Sequence, residues 1–278
     1  FFWVGTEAPI KGMSPSIFKY YDGDIPFETR VDSVIFWFQL EEQQRPQLIL
    51  LYFSEPDHTG HKYGTNREKI IESVTNLDNL LGYLLQELKR LNIYPKLNIV
   101  ITSDHGMADV SADSLIILDD YISRMEDLYS IGRGSLVQFD YKEEIADYTD
   151  ILFQELSTIP HSQTWRKSEI PERFHFINNN TGDYLLLADE GWFITTNAAL
   201  EEEFTLMGMH GYDPYILNMH GIFYVVGPKI QSGLQIQAFE NIHIYPLICE
   251  LLEIKPYSRM EDAPDGDLKV LQNILNNR

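Results

Sequence analysis

The chain has 278 residues, of which 44% are apolar and 13% aromatic, so it can bury the core of a large α/β domain. Its 42 acidic side chains against 21 basic ones give a formal net charge of −21. This balance argues against nucleic acid and anionic membranes as partners, because both require a basic surface. An anionic small-molecule substrate is still compatible with the charge if local cations neutralise that substrate.

The first part of the chain is predicted to alternate helices and strands. Apolar residues at helical spacing predict an amphipathic helix over 29–43 and a longer one over 67–91. Apolar runs predict strands over 47–54 and 97–102, and the second run is β-branched, as is typical of a strand buried on both faces. This strand–helix–strand order predicts parallel strands joined by a right-handed crossover.

The middle of the chain has a different sequence pattern, with short strand-like segments separated by Gly, Asn or Pro. A helix over 144–157 interrupts these segments. We therefore expect a small inserted α+β lobe over about 130–200. The predicted strands of this lobe are 134–140, 172–177, 183–188 and 192–196.

After this lobe, the sequence returns to the pattern of its first part. A buried strand is predicted over 222–226 and a helix over 239–253. Together the elements predict an α/β fold with a mostly parallel central sheet flanked by helices, in one domain over 1–278 that carries the inserted lobe. No apolar run approaches the length of a membrane span, so no transmembrane segment is expected in this chain.

Acidic residues and histidines are concentrated in three clusters near predicted strands. The clusters are SEPDHTGH at 54–61, SDHGM at 103–107 and MHGYD at 209–213. The first two follow predicted strands directly, and the third lies in a loop shortly before one. Functional groups of open parallel sheets gather beyond the carboxyl ends of the strands. Because carboxylate plus imidazole suits zinc and related divalent ions, the clusters predict a metal centre.

The spacing of these residues divides them into two sets. Asp57 and His61 are four residues apart, so one helical turn or a compact loop can direct both at one ion. His210 would add a third ligand from a distant part of the chain. Asp104 and His105 are adjacent and suit a second ion on a loop that leaves a strand, although this second set lacks at least one ligand.

A structural role is the alternative for each histidine, because a single histidine near a strand end is more often hydrogen-bonded than metal-bound. Three clusters at strand ends, with nothing comparable elsewhere in the sequence, favour the metal. His58 lies beside Asp57 but outside the i, i+4 spacing, and we predict that it is a spacer. The histidines outside the clusters are interpreted as structural: His161, His175, His220 and His243.

In this order, the segments resemble the nucleotide pyrophosphatase/phosphodiesterase family of the alkaline phosphatase superfamily, and the resemblance spans nearly the whole chain. It begins with FFWVGTE at 1–7, where Val4 replaces the usual proline of the family. It continues through PFETR at 26–30, EPDHTGH at 55–61, SDHGM at 103–107, HGYD at 210–213 and DGDL at 265–268.

This resemblance implies that Asp57, His61 and His210 bind one Zn²⁺ and that Asp104 and His105 bind another. In the family, an aspartate and a threonine or serine nucleophile complete the second site, and both lie upstream of the FFWVGTE stretch. The resemblance therefore implies that the catalytic nucleophile precedes this sequence. We expect the chain as given to be N-terminally truncated and inactive by itself.

The activity implied by the resemblance is zinc-dependent hydrolysis of nucleotide phosphodiester or pyrophosphate bonds through a covalent phospho-enzyme intermediate. Trp3, Tyr21 and Tyr52 coincide with positions that line the nucleotide pocket of the family, where an aromatic face can stack on a base. Packing in an apolar core is the alternative for all three. Family members are mostly exported, which implies a periplasmic or extracellular location.

Two other functions stay open at this point. The chain can belong to another hydrolase of the superfamily, which acts on a phosphomonoester, a phosphonate or a lipid head-group phosphodiester. It can also be an inactive metal-binding protein. The relative rates with a phosphodiester and a phosphomonoester separate the first possibility from our prediction, and the zinc content tests the second.

Overall fold

The computed structural model describes residues 9, 12–65, 67–142, 149–200, 207–257 and 265–276. The α-helices in this part of the chain are α1 (Phe27–Gln39), α2 (Asp57–Tyr63), α3 (Glu68–Arg90), α4 (Thr149–Ser157), α5 (Asn197–Leu200) and α6 (Ile244–Leu251). The strands are β1 (Ile99–Thr102), β2 (Ala108–Asp109), β3 (Leu115–Ile117), β4 (Leu128–Ile131), β5 (Leu136–Tyr141), β6 (Ser162–Arg166), β7 (Tyr184–Ala188), β8 (Phe193–Thr195), β9 (Gly208–Met209) and β10 (Phe223–Val226).

The contacts between residues divide the chain into two compact units, each with its own buried core. The first unit consists of Phe1–Ser54, Thr75–Asp104 and Phe223–Arg278. The second unit consists of Glu55–Val74 and His105–Ile222. The sequence-based division, a single domain with an inserted lobe over about 130–200, stays a prediction.

In the first unit, α1 forms where an amphipathic helix was predicted. Pro26 occupies the N-cap position, where its fixed φ of −54° leads into the helix. The apolar face of α1 buries Val31 and Ile35 against Leu80 of α3. The helix ends at Gln39 because Leu40 adopts an extended conformation, four residues before the predicted end.

The direction of strand pairing in the first unit differs from the prediction. Strand β1, predicted to lie in a parallel sheet, runs antiparallel to β10, with Ile99 opposite Val226 and Thr102 opposite Phe223. Over 47–54, the backbone forms a single bridge at Leu51 instead of a strand. Among the described strands, β3 and β8 form the only parallel pair. An apolar run indicates that a segment is buried, but it does not encode the partner or the direction of pairing.

The second unit contains an antiparallel sheet with the strand order β4-β5-β7-β6. All five residues of β7 are buried, which is typical of a central strand covered on both faces. Leu152 and Leu156 of α4 and Phe139 of β5 are almost completely inaccessible to solvent and belong to the same core. Strands β5 and β7 lie where strands were predicted. The predicted helix over 144–157 is observed from Thr149 onwards, and 143–148 lie outside the described residues.

Three segments of the second unit differ from the prediction. Strands β4 and β6 were not predicted, and they form the two edges of the sheet, where mixed polar and apolar residues are tolerated. The predicted strand over 172–177 is wrong, because Glu172–Phe174 form one short 3₁₀ turn. His175 follows in the left-handed conformation, with φ of 47°, which interrupts an extended chain.

The described helices have lengths typical of globular proteins. Helix α6 is shorter than the predicted helix over 239–253, because a 3₁₀ turn at Asn241–His243 precedes it. Cys249 is buried on α6, as its place in an apolar helical pattern predicted. Within the described residues, no helix combines the length and the hydropathy that a membrane span requires.

Candidate metal centre

Helix α2 begins at the first predicted metal ligand, Asp57, with Pro56 at the N-cap position, and Glu55 before it accepts a hydrogen bond from the first helical turn. The Oε2 atom of Glu55 accepts hydrogen bonds from the backbone N–H of Thr59 at 3.1 Å and from Oγ of Ser73 at 3.1 Å. These bonds satisfy a donor of the first helical turn, which has no partner within the helix. The i, i+4 spacing within α2 places Asp57 and His61 on one face of the helix.

A close approach between α2 and β9 fixes the orientation of His61. A Cβ atom added to Gly208 would lie 2.4 Å from the carbonyl oxygen of Gly60, so the two backbones approach closely only because Gly208 has no side chain. The N–H of Met207 donates to the carbonyl of His61 at 2.8 Å. The Nδ1 atom of His61 lies 2.8 Å from the carbonyl oxygen of Gly208.

Strand pairing brings two further histidines of the prediction together. Strands β2 and β9 are antiparallel, with Ala108 opposite Met209, so the residues before β2 and those after β9 lie at the same end of the pair. His105 and His210 accordingly stack, with ring centroids 3.5 Å apart and an interplanar angle of 14°. Gly211 then turns the chain with φ of +85°, a conformation that favours glycine.

Three side chains of the second unit converge on one point. The Oδ1 atom of Asp57 lies 3.4 Å from Nε2 of His61 and 3.6 Å from Nε2 of His210. One ligand atom from each residue lies within 4.8 Å of the other two. Around a tetrahedral zinc ion with ligand distances of about 2.0–2.2 Å, neighbouring ligand atoms are separated by about 3.3–3.6 Å. The observed separations therefore fit a divalent ion.

The hydrogen bonding of these residues also fits a cation. The Oδ1 atom of Asp57 is buried and accepts no hydrogen bond from the described residues, although an unsatisfied buried carboxylate oxygen is costly. A carbonyl oxygen only accepts, so Nδ1 of His61 must donate its proton to Gly208. In the neutral imidazole, this leaves the lone pair on Nε2, which faces Asp57.

The residues predicted for a second ion lie on either side of the division between the two units. Asp104 is exposed and ends a segment of the first unit, two residues after β1, and His105 begins the next segment of the second unit. The Nδ1 atom of His105 lies 2.8 Å from the carbonyl oxygen of Gly106, so this nitrogen carries the proton that it donates to the carbonyl. The assignment of Asp104 and His105 to one ion stays a prediction.

The residues predicted for substrate binding are only partly described. Trp3 lies outside the described residues. Tyr21 and Tyr52 both belong to the first unit and are half-buried, and their ring centroids lie 6.2 Å apart at an angle of 53°. The structure thus brings these two predicted residues together, although they are far apart in the sequence.

The histidines outside this group make other contacts or face solvent. His161 stacks on Trp192, with ring centroids 3.8 Å apart, and Nδ1 of His243 accepts a hydrogen bond from the N–H of Asp267. His58 is exposed on α2. It is absent from the group formed by Asp57 and its two histidine neighbours.

A contact that the sequence did not predict anchors the HGYD segment. Arg173 donates two hydrogen bonds to Asp213, from Nη1 to Oδ1 at 2.7 Å and from Nη2 to Oδ2 at 2.5 Å. The buried Tyr212 donates its hydroxyl to the carbonyl of Trp192. These contacts hold the chain two and three residues beyond His210. A short run of His, Gly, Tyr and Asp signals such an anchored turn, but it does not identify the arginine partner.

Two pKa values in this segment follow from the contacts. The hydrogen-bonded guanidinium of Arg173 holds the pKa of the Asp213 carboxyl below its usual range. Burial raises the pKa of Tyr212 well above its usual range. The bidentate pair therefore stabilises the folded protein above the pKa of about 3.9 that an unfolded aspartate has, and this stabilisation is lost as the pH falls through the lower folded pKa of Asp213.

The Asp213→Asn variant is expected to unfold more easily at pH 7, by about 1–2 kcal/mol, because a charge-assisted pair that is partly open to solvent is lost. Thermal unfolding followed from pH 7 down to pH 3 checks this, and the difference from wild type should shrink as Asp213 becomes protonated. The matched control is Glu72→Gln, which removes the exposed ion pair of Glu72 with Lys69 and should change little. A constant difference at every pH would contradict the pairing.

Comparison with known proteins places the chain in a family. The model of the family described as type I phosphodiesterase / nucleotide pyrophosphatase matches residues 1–213. The chain belongs to this family. It is 34% identical over 288 residues to venom phosphodiesterase CdcPDE of Crotalus durissus collilineatus, covering 100% of this chain and 33% of that protein. The human ectonucleotide pyrophosphatase/phosphodiesterase family member 1 is 32% identical over 263 residues, covering 92% of this chain and 28% of that protein.

Solved structures of the phosphodiesterase family match the fold of this member. Human ectonucleotide pyrophosphatase/phosphodiesterase 5 superposes with a TM-score of 0.89 at 32% identity, over 99% of this chain and 70% of that chain. An inactive form of the murine protein in complex with AMP superposes with a TM-score of 0.89 at 31% identity, over 99% of this chain and 70% of that chain. These matches confirm the α/β fold class. The chain spans about a third of the length of the curated relatives that it matches.

Proposed function

We propose that the full-length protein hydrolyses nucleotide phosphodiester or pyrophosphate bonds with the help of bound zinc. The observation that carries the proposal is the buried Oδ1 atom of Asp57, which has no hydrogen-bond partner among the described residues and faces two imidazole nitrogens. Membership of the type I phosphodiesterase / nucleotide pyrophosphatase family supports phosphodiester hydrolysis as the reaction.

Asp57, His61 and His210 would hold one ion, and Asp104 with His105 would contribute to a second. When bound, zinc ions would polarise a phosphoryl oxygen and lower the pKa of a coordinated water or hydroxyl. Asp57 contributes the negative charge of the first site. The carbonyl of Gly208 fixes the ring of His61 in the tautomer that presents Nε2. In a chain with a net charge of −21, such cations would neutralise an anionic substrate locally.

The proposed substrate is a nucleotide, with Trp3, Tyr21 and Tyr52 contacting the base or the sugar. Support comes from the 6.2 Å separation of the Tyr21 and Tyr52 rings and from the AMP complex of the murine relative. The proposal includes the covalent phospho-enzyme intermediate that the family resemblance implies, on a nucleophile upstream of the FFWVGTE stretch. The relatives are venom enzymes and ectoenzymes by name, and we propose an extracellular or periplasmic location on this basis.

The full-length protein, purified with zinc, is expected to hydrolyse bis-p-nitrophenyl phosphate with a higher kcat/KM than p-nitrophenyl phosphate. A site built for phosphodiesters discriminates against monoesters because it contacts the second ester group of the diester in the transition state. Both rates are measured by the release of p-nitrophenolate under the same conditions. Faster hydrolysis of the monoester would contradict the proposal and favour a phosphomonoesterase of the same superfamily.

The requirement for metal is tested on the same preparation. Zinc content measured by mass spectrometry should be above one ion per chain. Dialysis against a chelator should remove the zinc and abolish activity, and activity should return when zinc is added back. A protein that purifies free of metal and stays inactive with added zinc would contradict the proposal. That result would favour the alternative of a non-catalytic protein.

A further inference from the structure

Arg30, in the first turn of α1, is a buried cation whose side-chain hydrogen bonds to the described residues all go to backbone carbonyls. Its side chain belongs to the first unit, and the residue is only 1% exposed. The guanidinium donates from Nε to Ile25 at 3.3 Å, from Nη1 to Tyr52 at 3.1 Å and from Nη2 to Asp22 at 3.0 Å. Among the described residues, no carboxylate lies within ion-pair distance of it.

These contacts connect Arg30 to both tyrosines of the proposed nucleotide site. The guanidinium carbon lies 5.7 Å from the centroid of the Tyr21 ring, within the range of a cation–π contact. Nη2 binds the carbonyl of the residue that follows Tyr21, and Nη1 binds the carbonyl of Tyr52 itself. One rigid side chain therefore contacts the backbone or the ring at both members of the pair.

The guanidinium group of Arg30 is chemically suited to holding two parts of the backbone at a fixed distance. Its donors lie in a planar fork of fixed geometry, whereas a lysine ammonium is a single point charge on a flexible stem. Burial of a cation without a counterion is costly, and an apolar side chain of similar volume fills a core at a lower cost. A residue that only filled space at this position would not need to be a cation with three carbonyl partners.

We propose that Arg30 is a positioning residue that holds Tyr21 and Tyr52 at the separation needed to bind the nucleoside part of the substrate. The inference rests on the proposed function, because it assigns the two tyrosines to substrate binding. It goes beyond that function by assigning substrate selectivity to a buried residue that does not touch the substrate. Loss of the guanidinium fork should therefore affect nucleotide esters more than esters that lack a base and a sugar.

The test compares two diesters with the full-length protein: the p-nitrophenyl ester of thymidine 5′-monophosphate and bis-p-nitrophenyl phosphate. In Arg30→Lys, the ratio of kcat/KM for the nucleotide ester to kcat/KM for the simple diester should fall about three- to tenfold, the range expected for an aromatic contact. The change should appear mainly in KM for the nucleotide ester, and the zinc content should equal that of wild type.

The matched control is Arg45→Lys, since Arg45 also donates to a backbone carbonyl, that of Leu40 at 2.7 Å, but is exposed and makes no contact with either tyrosine among the described residues. Its ratio should equal that of wild type. An unchanged ratio in Arg30→Lys, with either equal losses on both esters or no loss, would overturn the inference. A wild-type protein that cleaves neither ester would instead contradict the proposed function, and the inference with it.

A second variant keeps the inference testable if Arg30→Lys does not fold. Tyr21→Leu leaves the three hydrogen bonds of Arg30 in place and removes the aromatic face, so it should give the same selective loss for the nucleotide ester. Where Arg30→Lys folds, the double variant should lose less selectivity than the sum of the two single losses, because both changes affect the Tyr21 ring. An unchanged ratio in Tyr21→Leu would overturn the inference.

Discussion

The His210→Ala variant of the full-length protein is expected to bind zinc at least about 100-fold more weakly than wild type and to lose phosphodiesterase activity. Mutation of a residue that only hydrogen-bonds to a metal ligand weakens metal binding by about 10–100-fold. Loss of a ligand itself should therefore weaken metal binding by at least the upper end of that range. Without His210, only Asp57 and His61 would remain in the group. Competition with a chromogenic chelator measures the affinity, and hydrolysis of bis-p-nitrophenyl phosphate measures the activity.

His58→Ala is the matched control for this variant. His58 is exposed on the same short helix, next to Asp57, and alanine is at least as favourable as histidine in a helix. Zinc affinity and activity should therefore equal those of wild type. Equal losses in both variants would indicate a general effect of disturbing this region. If His210→Ala bound zinc as tightly as wild type, His210 would not be a ligand of the metal centre.

The Gly208→Ala variant is expected to reduce both stability and zinc affinity. The new Cβ atom would lie 2.4 Å from the carbonyl oxygen of Gly60 and 3.2 Å from Sδ of Met107, so β9 must move away from α2. We expect the free energy of unfolding to fall by about 1–3 kcal/mol, as is usual for overpacking. Since His61 is oriented by the carbonyl of Gly208, the same movement should weaken zinc binding about tenfold or more.

Gly82→Ala is the control for the effect of a methyl group on the backbone. Gly82 lies within α3, and a Cβ atom added there meets no other atom within 4 Å. Alanine is the better helix former by about 1 kcal/mol, so this variant should be as stable as wild type or more stable, with unchanged zinc affinity. Chemical denaturation of the metal-free proteins separates the folding effect from the metal effect. Unchanged stability of Gly208→Ala would contradict the close approach of α2 and β9.

Part of the metal-ligand group could be predicted from the sequence, because the pairing of Asp57 with His61 follows from helix geometry. Asp57 and His61 are separated by one helical turn, and α2 realises this spacing. The amphipathic helices α1 and α3 and the apolar strand β7 also carry strong local signals, and each lies close to its predicted position. Long, periodic segments bury one face or both, and this requirement is visible in the order of the residues.

The approach of His210 to α2 could not be derived from local patterns. Strands β2 and β9 have two residues each, too few for a periodic signal, yet their pairing determines which residues follow into the site. The close contact of Gly60 with Gly208 is possible because Gly208 has no side chain. Many glycines of the sequence serve only turns, so a glycine alone does not predict such a contact. The concentration of histidines and acidic residues in three clusters suggested this grouping, and the resemblance to the phosphodiesterase family implied the same one.

The direction of the strands and the hydrogen-bond partners of two arginines could not be predicted from the sequence either. Antiparallel pairing of β1 with β10 involves segments more than one hundred residues apart, and an apolar run does not select its partner. Arg30 and Arg173 look like ordinary surface residues in the sequence, but one is buried among carbonyls and the other is paired with Asp213. Such partners are set by tertiary packing, which propensity does not encode.

The binding of one metal ion by Asp57, His61 and His210 can be tested by the position of zinc in crystals of the full-length protein. Diffraction data collected on both sides of the zinc absorption edge locate the ion by its anomalous signal. We expect a peak about 2.0–2.2 Å from an oxygen of Asp57 and from Nε2 of both histidines. Zinc bound elsewhere in the protein, with these three side chains not coordinated to it, would show that they do not form a metal centre.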